Sequence, residues 1–419
     1  MRRTETDQMD INSQRRIDRF AGVPVCALLS LVERLCRKRP VTVPPKRILV
    51  LLLSEMGSLV LARPMFSYLK RRHPHASIHV MVFEKNREVL DLLGVVPESN
   101  VLTLNDRSLG AFVSDLLAIL RRMRTLRFDA VIDCELFARI SSILSFFSGA
   151  SVRVGFHPHT QEGLYRGSYM NRPVLYNPYR HMSLQFLTLA FALESDTHPV
   201  AKDAPAADSP EPPLFEFRQG ERKEMTARLH ADFPAIQGKK LVLVYPSGGM
   251  LPIRAWPLDH YRRLCTALLT DGNAVGIIGL QSDKPIARVL LGHCKSSQCI
   301  DLTGYTKSVR ELLTLLYRAS LLITNDGGPG HFASLTPIPS IVFFGPETPV
   351  LYGSLAKNAH CFYSSLPCSP CLSAYNHRTS PCDGDNQCLK RIPPEQVLAK
   401  ARQMLEAART RDPAAGEIP

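Results

Sequence analysis

Two turns in the carboxyl-terminal half of the chain combine glycines with charged side chains in the way an anion site requires. In Leu321–Pro346 an apolar run ends in Asn325 and Asp326, Gly327 and Gly328 then let the backbone approach a ligand, and Gly330 and His331 open a helix. Free amides and the positive end of a helix favour phosphate there. Asp326 would repel phosphate and suits sugar hydroxyls better, as an acceptor of their hydrogen bonds. For a single glycine pair, a tight strand-to-helix connection without a ligand is the favoured reading. A second turn, Tyr245–Pro257, shifts that balance: Ser247, Gly248 and Gly249 leave another strand as donors, and Arg254, just before Trp256, can hold a diphosphate by paired hydrogen bonds. Together the turns suggest a nucleoside diphosphate. Neither is a P-loop or a G-x-G-x-x-G dinucleotide fingerprint, which argues against nucleotide hydrolysis and hydride transfer.

A third turn, Ser54 to Ser58, joins an apolar strand to a helix near the amino-terminal end and carries Glu55 ahead of Gly57. Enzymes built on parallel sheets place reacting groups at such strand ends. A fourth cluster, Cys368, Cys371, Cys382 and Cys388, opens with the C-x-x-C spacing of a structural zinc site, but its second pair is spaced too widely for a typical zinc ribbon. Metal, disulfide and four free thiols all remain open.

The elements that carry these turns alternate. Arg47 to Leu53 is a continuous apolar run, the pattern of a strand covered on both faces. Ser77 to Phe83, Phe128 to Cys134 and Ser151 to Phe156 continue as strands, with helices over Leu59–Leu69, Ser114–Arg124 and Arg139–Phe147. Asp196 to Pro213 is rich in proline, alanine and acidic residues and reads as a linker. The alternation then restarts: strands at Lys240–Pro246, Ala274–Leu280, Leu321–Asp326 and Ser340–Pro346, and helices at Leu258–Leu269, Val309–Arg318 and from about Gly330. This βαβ logic implies two mostly parallel α/β domains, with a cleft between them as the default ligand site. The expected boundaries are a basic amphipathic segment and linker over 1–45, a first domain over 46–195, a linker and start of the second domain over 196–238, the second domain over 239–410, and a flexible tail over 411–419.

Composition sets the partners. With 419 residues, 45% hydrophobic and 21% charged, the chain has the make-up of a folded protein. Its formal charge of +13 points to an anionic partner, and a single tryptophan with 7% aromatic residues gives no stacking platform for nucleic acid. Eleven cysteines without a secretory signal fit a reducing cytoplasm. Phe20 to Val32 is too short to span a bilayer. Arg15, Arg16 and Arg19 precede it and Arg34, Arg37, Lys38 and Arg39 follow, so a helix there either packs on the protein's own surface or lies in a membrane interface on anionic headgroups.

The runs "TNDGGPGHFAS", "PSGG…RAWP", "LTGYTKSVRELLTLLYRASLLITND" and "LSEMGSLVLARP" together resemble glycosyltransferase family 9, the heptosyltransferases that build the lipopolysaccharide inner core. The resemblance runs from Lys46 to about Arg409. It implies a GT-B fold of two Rossmann-like domains, with the acceptor on the first and the sugar nucleotide on the second. The family's phosphate turn falls on Asp326, Gly328 and His331, its Lys-x-Trp on Arg254 and Trp256, and its ribose carboxylate near Asp283. Where the family carries a catalytic aspartate after the glycine of the first turn, this chain has Ser58, and Glu55 is the residue that can replace it as base. The implied reaction is inverting transfer from a nucleoside-diphosphate sugar, ADP-heptose by resemblance, to a lipid-linked acceptor, by a peripheral enzyme of the inner membrane's cytoplasmic face that needs no cofactor. The Ser58 departure favours a second reading, a sugar-nucleotide or glycolipid binder that has lost its base. A GT-B sugar-nucleotide epimerase is a third.

Overall fold

The computed structural model describes residues 17–36, 44–53, 55–105, 108–136, 138–157, 165–204, 214–373 and 379–411. Arg15, Arg16, Arg37, Lys38, Arg39, Ser54, the centre of the expected linker and positions 412–419 of the expected tail lie outside them. The chain forms two compact units that divide near residue 210.

In the first unit β1 (Arg47–Leu51), β2 (Ser77–Phe83), β3 (Val101–Leu104), β4 (Ala130–Asp133), β5 (Val152–Phe156) and β6 (Arg172–Val174) form one sheet in the order β3-β2-β1-β4-β5-β6. Every neighbouring pair is parallel. Ile48 to Leu51 are all buried, as expected of a central strand covered on both faces. The chain builds outward from β1 to β3, then returns to lay β4 on the other side of β1. The reversal lies between β1 and β4, and sheets of this type bind ligands at the carboxyl ends of the strands beside such a reversal.

The second unit repeats the plan. Here β7 (Leu241–Tyr245), β8 (Ala274–Gly279), β9 (Cys299–Thr303), β10 (Leu321–Asn325), β11 (Ser340–Phe344) and β12 (Ala359–Tyr363) run in the order β12-β11-β10-β7-β8-β9, again parallel throughout. Its reversal lies between β7 and β10, where Tyr245 sits opposite Thr324. Under the sheet, the Trp256 ring stacks on Phe343 with centroids 4.5 Å apart and planes 19° from parallel. Two Rossmann-like units of this kind make the GT-B architecture.

The expected helix over Leu59–Leu69 is in fact two, Met56–Leu61 and Arg63–Arg72. Pro64 is the cause, since it has no amide to donate and restricts the residue before it. At the amino-terminal end, Gly22–Cys36 is helical and buries Gly22, Cys26 and Leu29 against the first unit. No helix among the described residues is long and apolar enough to cross a membrane.

Two buried histidines make the fold sensitive to acid. Burial lowers the His73 and His79 pKa values below the ordinary histidine range, with the Arg122 and Arg47 charges adding to the effect at His79. His79 Nδ1 has no hydrogen-bond partner, and the ring packs edge-on against Phe128. An unfolded histidine binds its proton at about pH 6.5, so below that pH the unfolded state takes up protons that the folded state resists. Stability is therefore present above about pH 6.5 and is lost as pH falls. Thermal unfolding followed from pH 7.5 to 5 will show a falling Tm, and His79→Phe will flatten part of the slope.

Candidate active site

The turn after β7 is shaped by its glycines. A Cβ on Gly248 would lie 2.7 Å from the Leu251 carbonyl oxygen and 2.8 Å from Pro252 backbone atoms, so only glycine fits the fold of this loop. Gly249 has φ +60°, the left-handed region that also favours glycine. The Gly249 amide donates to Ser247 Oγ at 3.1 Å, so this amide, one of the expected anion donors, is engaged inside the turn. At the far end of the loop Trp256 is fully buried, and its indole N–H donates to the Ile392 carbonyl at 3.0 Å.

The turn after β10 is different. Gly327 is extended (φ 165°, ψ −170°), and a Cβ there would meet nothing within 4 Å. Gly328 would place its Cβ in ordinary contact, 3.5 Å from the Phe332 ring. The fold requires glycine at neither position. Open space beside bare backbone, at the point where the sheet reverses, is what a closely approaching ligand needs. His331 sits on the short helix Gly328–Ala333, its amide 3.4 Å from the Gly327 carbonyl.

Asn325, the last residue of β10, ties the two turns together. It is fully buried, and its side-chain oxygen accepts from the Trp256 amide at 2.9 Å and from Tyr261 Oη at 3.0 Å. Its side-chain nitrogen donates to the Ser247 carbonyl at 3.0 Å. Both capacities of the amide are thus spent on holding residues 246–257 against β10. Arg254, carried at this fixed distance, places Nη2 2.8 Å from Glu347 Oε1 and Nε 3.5 Å from Asp326 Oδ2. Glu347 follows β11 and is almost fully buried. The guanidinium therefore lies between two carboxylates from adjacent strand ends: Nη2 is hydrogen-bonded to Glu347, whereas Nε and Asp326 Oδ2, though close, make no hydrogen bond. Asp283 stands at the end of the next strand, β8, where its Oδ2 accepts from the Leu280 amide at 2.8 Å and closes its own turn.

In the first unit the turn after β1 is anchored from both sides. Glu135, buried in the turn after β4, accepts from the Leu53 amide at 2.7 Å, and Asn86 donates to the Leu53 carbonyl. The turn after β4 is itself pinned by Arg166, which pairs with buried Asp133 and donates to the Ala138 carbonyl at 2.9 Å and to Ser141 Oγ at 2.8 Å. Burial pushes the Asp133 carboxyl up, against the pull of Arg166. Beyond Leu53, Glu55 has extended backbone (φ −132°, ψ 127°) and precedes the helix Met56–Leu61, yet its side chain does not cap that helix. Ser58 Oγ is 3.5 Å from Glu55 Oε2. The expected base Glu55 and Ser58 thus lie within hydrogen-bonding reach of each other.

None of the eleven cysteines forms a disulfide. Cys388 packs into the core of the second unit beneath Gly345, whereas Cys368 and Cys382 are exposed and Cys371 Sγ lies 3.1 Å from Ser380 Oγ. Among the described residues no group of three or more His, Cys, Asp or Glu side chains gathers as a metal ion would require.

With this geometry in view, the sequence pattern of glycosyltransferase family 9 (heptosyltransferase) matches residues 116–380, more than half of the chain. The chain belongs to glycosyltransferase family 9. It is a transferase. Among curated relatives, lipooligosaccharide heptosyltransferase 2 of Haemophilus ducreyi is 26% identical over 319 residues, covering 75% of this chain and 87% of that protein. Lipopolysaccharide heptosyltransferase 2 of Salmonella typhimurium is 24% identical over 368 residues, 86% of this chain and 98% of that one. Among solved structures, the E. coli ADP-heptose lipopolysaccharide heptosyltransferase II superposes with a TM-score of 0.67 at 21% identity, over 86% of this chain and 99% of that one. The turns that carry Glu55, Arg254 and Asp326 lie at the two sheet reversals, and the Asp283 turn follows the neighbouring strand β8. Asn325, Glu347, Glu135 and Asn86, which hold those turns in place, carry no local signature, because their roles arise from contacts between strand ends distant in sequence.

Proposed function

We propose that this family 9 enzyme transfers a heptose from ADP-heptose, with inversion, to a lipid-linked acceptor of the lipopolysaccharide inner core, working as a peripheral protein on the cytoplasmic face of the inner membrane. The observation that carries the donor assignment is the pair of turns at the β7/β10 reversal, where Gly327 and Gly328 leave bare backbone that the fold does not need. The relatives named above are heptosyltransferases of lipopolysaccharide or lipooligosaccharide, and one is named for ADP-heptose.

In this reading the acceptor hydroxyl attacks the anomeric carbon, the new C–O bond forms as the bond to the diphosphate breaks, and the hydroxyl proton passes to Glu55. The leaving diphosphate gains negative charge as it departs. Charge stabilisation of that kind is commonly the largest catalytic term, and in this reading Arg254 supplies it together with the amides of Gly327, Gly328 and Gly330. Arg254 alone does not outweigh Asp326 and Glu347. The diphosphate therefore draws the guanidinium from Glu347, while Asp326 accepts from sugar hydroxyls. No cofactor takes part. Asp283 reaches the ribose with the carboxylate oxygen that does not close its turn.

The test is incubation of purified protein with ADP-heptose and a lipid A core acceptor lacking its outer heptose, read by acceptor mass. A mass gain of one heptose is expected. No gain with any of several nucleotide sugars, despite tight nucleotide binding, would overturn the reading. Gly327→Ala makes the donor site separable from the fold: it will leave Tm unchanged and raise the donor KM about tenfold, a loss of roughly 1.4 kcal/mol.

A further inference from the structure

The amino-terminal helix is seated on the first unit by polar contacts around a small apolar patch, in which Cys26 and Leu29 pack with Tyr169. Asp18, in the helical turn at 17–20, accepts from the Arg139 amide at 2.9 Å and the Ile140 amide at 3.1 Å, and pairs with Arg139 Nη1 at 3.0 Å. It thereby caps the helix Arg139–Phe147 in place of a residue from that helix's own entry turn. One turn on, Gly22 lets the two helices touch, since a Cβ there would lie 2.8 Å from Arg139 Cβ. Ser30 Oγ accepts from the Ser168 amide at 2.8 Å, and Glu33 pairs with Arg153.

The opposite side is apolar and open. Ile17, Phe20, Val25, Leu28, Leu31, Val32 and Leu35 follow helical spacing, and Phe20, Leu28 and Leu35 are 77%, 60% and 78% exposed. An ordinary surface helix turns its large apolar side chains inward; here Cys26 and Leu29 are the apolar residues buried in the seat, and the larger stripe is left in water. Arg19 and Arg34 are exposed on the same helix, and the sequence adds Arg15 and Arg16 before it and Arg37, Lys38 and Arg39 after it.

From this seating we infer that the exposed stripe of the Gly22–Cys36 helix inserts into the interface of an anionic lipid bilayer and fixes the first unit to that surface. Charge selects the occupant. A second copy meeting this face about a twofold axis would bring two like cationic rims together, whereas anionic headgroups complement the rim and acyl chains accept the stripe. Because Asp18, Ser30 and Glu33 pin the helix to the unit, the unit is held in one orientation on the membrane, unlike a domain on a flexible tether. The inference deepens the membrane-surface reading above, and its test needs no sugar transfer.

The full-length protein is sedimented with vesicles of phosphatidylglycerol and phosphatidylethanolamine, with phosphatidylcholine vesicles in parallel. Wild type is expected to bind the anionic vesicles, more weakly as salt rises, and the neutral ones poorly. The triple variant Phe20→Ser, Leu28→Ser, Leu35→Ser, whose side chains make no part of the seat, will keep its Tm and lose about 100-fold in partitioning, the worth of several buried CH₂ groups. Equal partitioning of variant and wild type would overturn the proposal. So would a wild type that stays in solution, or one that forms dimers which the triple substitution dissolves. Transfer to a water-soluble delipidated acceptor serves as the separate arm: if vesicle binding fails while this transfer proceeds, the docking surface is wrong and the transferase reading stands.

Discussion

A Glu55→Gln enzyme will bind ADP-heptose as wild type does and turn over about 10²- to 10⁴-fold more slowly, the range that a positioned general base contributes. The expectation rests on three features of the turn after β1. The carboxylate is not consumed in capping its own helix. Its backbone is held two residues away, at Leu53, by Glu135 and Asn86. And Ser58, which the sequence resemblance sets where the family's aspartate is expected, donates to the carboxylate at 3.5 Å. A serine hydroxyl cannot take a proton from another alcohol near neutral pH without help, so Ser58→Ala is expected to cost much less than Glu55→Gln. The readout is kcat in single-turnover kinetics with donor affinity measured separately. Full turnover in Glu55→Gln together with loss in Ser58→Ala would remove Glu55 from the mechanism.

The second large effect is expected at Asn325. Asn325→Leu keeps the branched shape and removes the side-chain hydrogen bonds from β10 to Trp256 and Ser247. The Trp256 amide and the Ser247 carbonyl then face an apolar side chain, while Tyr261 Oη retains the Tyr245 carbonyl at 3.2 Å. At about 1 to 3 kcal/mol for each buried group left unsatisfied, the variant loses on the order of 2 to 6 kcal/mol. Arg254 loses its fixed position along with the loop, so nucleotide affinity falls with stability. Asn325→Asp separates the two capacities of the amide. It still accepts from Trp256 and Tyr261 but turns an oxygen toward the Ser247 carbonyl, and it should be no better than Leu. Calorimetry with and without ADP checks both: wild type gains Tm with nucleotide, and the variants start lower and gain little.

Much of the architecture was legible because it is written in local period. Ser77–Phe83, Arg139–Phe147 and Val309–Arg318 stand at the ends their spacing indicates. The eight strands that the apolar runs reveal are the inner strands of the two sheets. The four they do not reveal, β3, β6, β9 and β12, are the four edges. An edge strand pairs on one side only and is short or mixed in polarity, as Arg172–Val174 and the half-buried Ala359–Tyr363 are, so it leaves no apolar run to read. The site divides the same way. Glycines and an arginine at strand ends can be seen in sequence, but the partners that fix them cannot. Nothing near Glu347 in the chain indicates that Arg254 will come to it, and nothing near Glu135 indicates Leu53.

The seat of the amino-terminal helix bears on how such an enzyme can change over time. Arg139 and Arg153 are almost wholly buried, and each has its carboxylate partner on that helix, in Asp18 and Glu33. Deleting the helix would strand two cations in a poorly solvated place, and breaking a buried pair from one side is costly. It would also uncap Arg139–Phe147, whose following turns support the strand end that carries Glu135. An extension of this kind acts as a ratchet. Once the body of the protein has placed buried arginines to receive it, the lineage can alter its outward face freely, but it can no longer discard the segment one residue at a time.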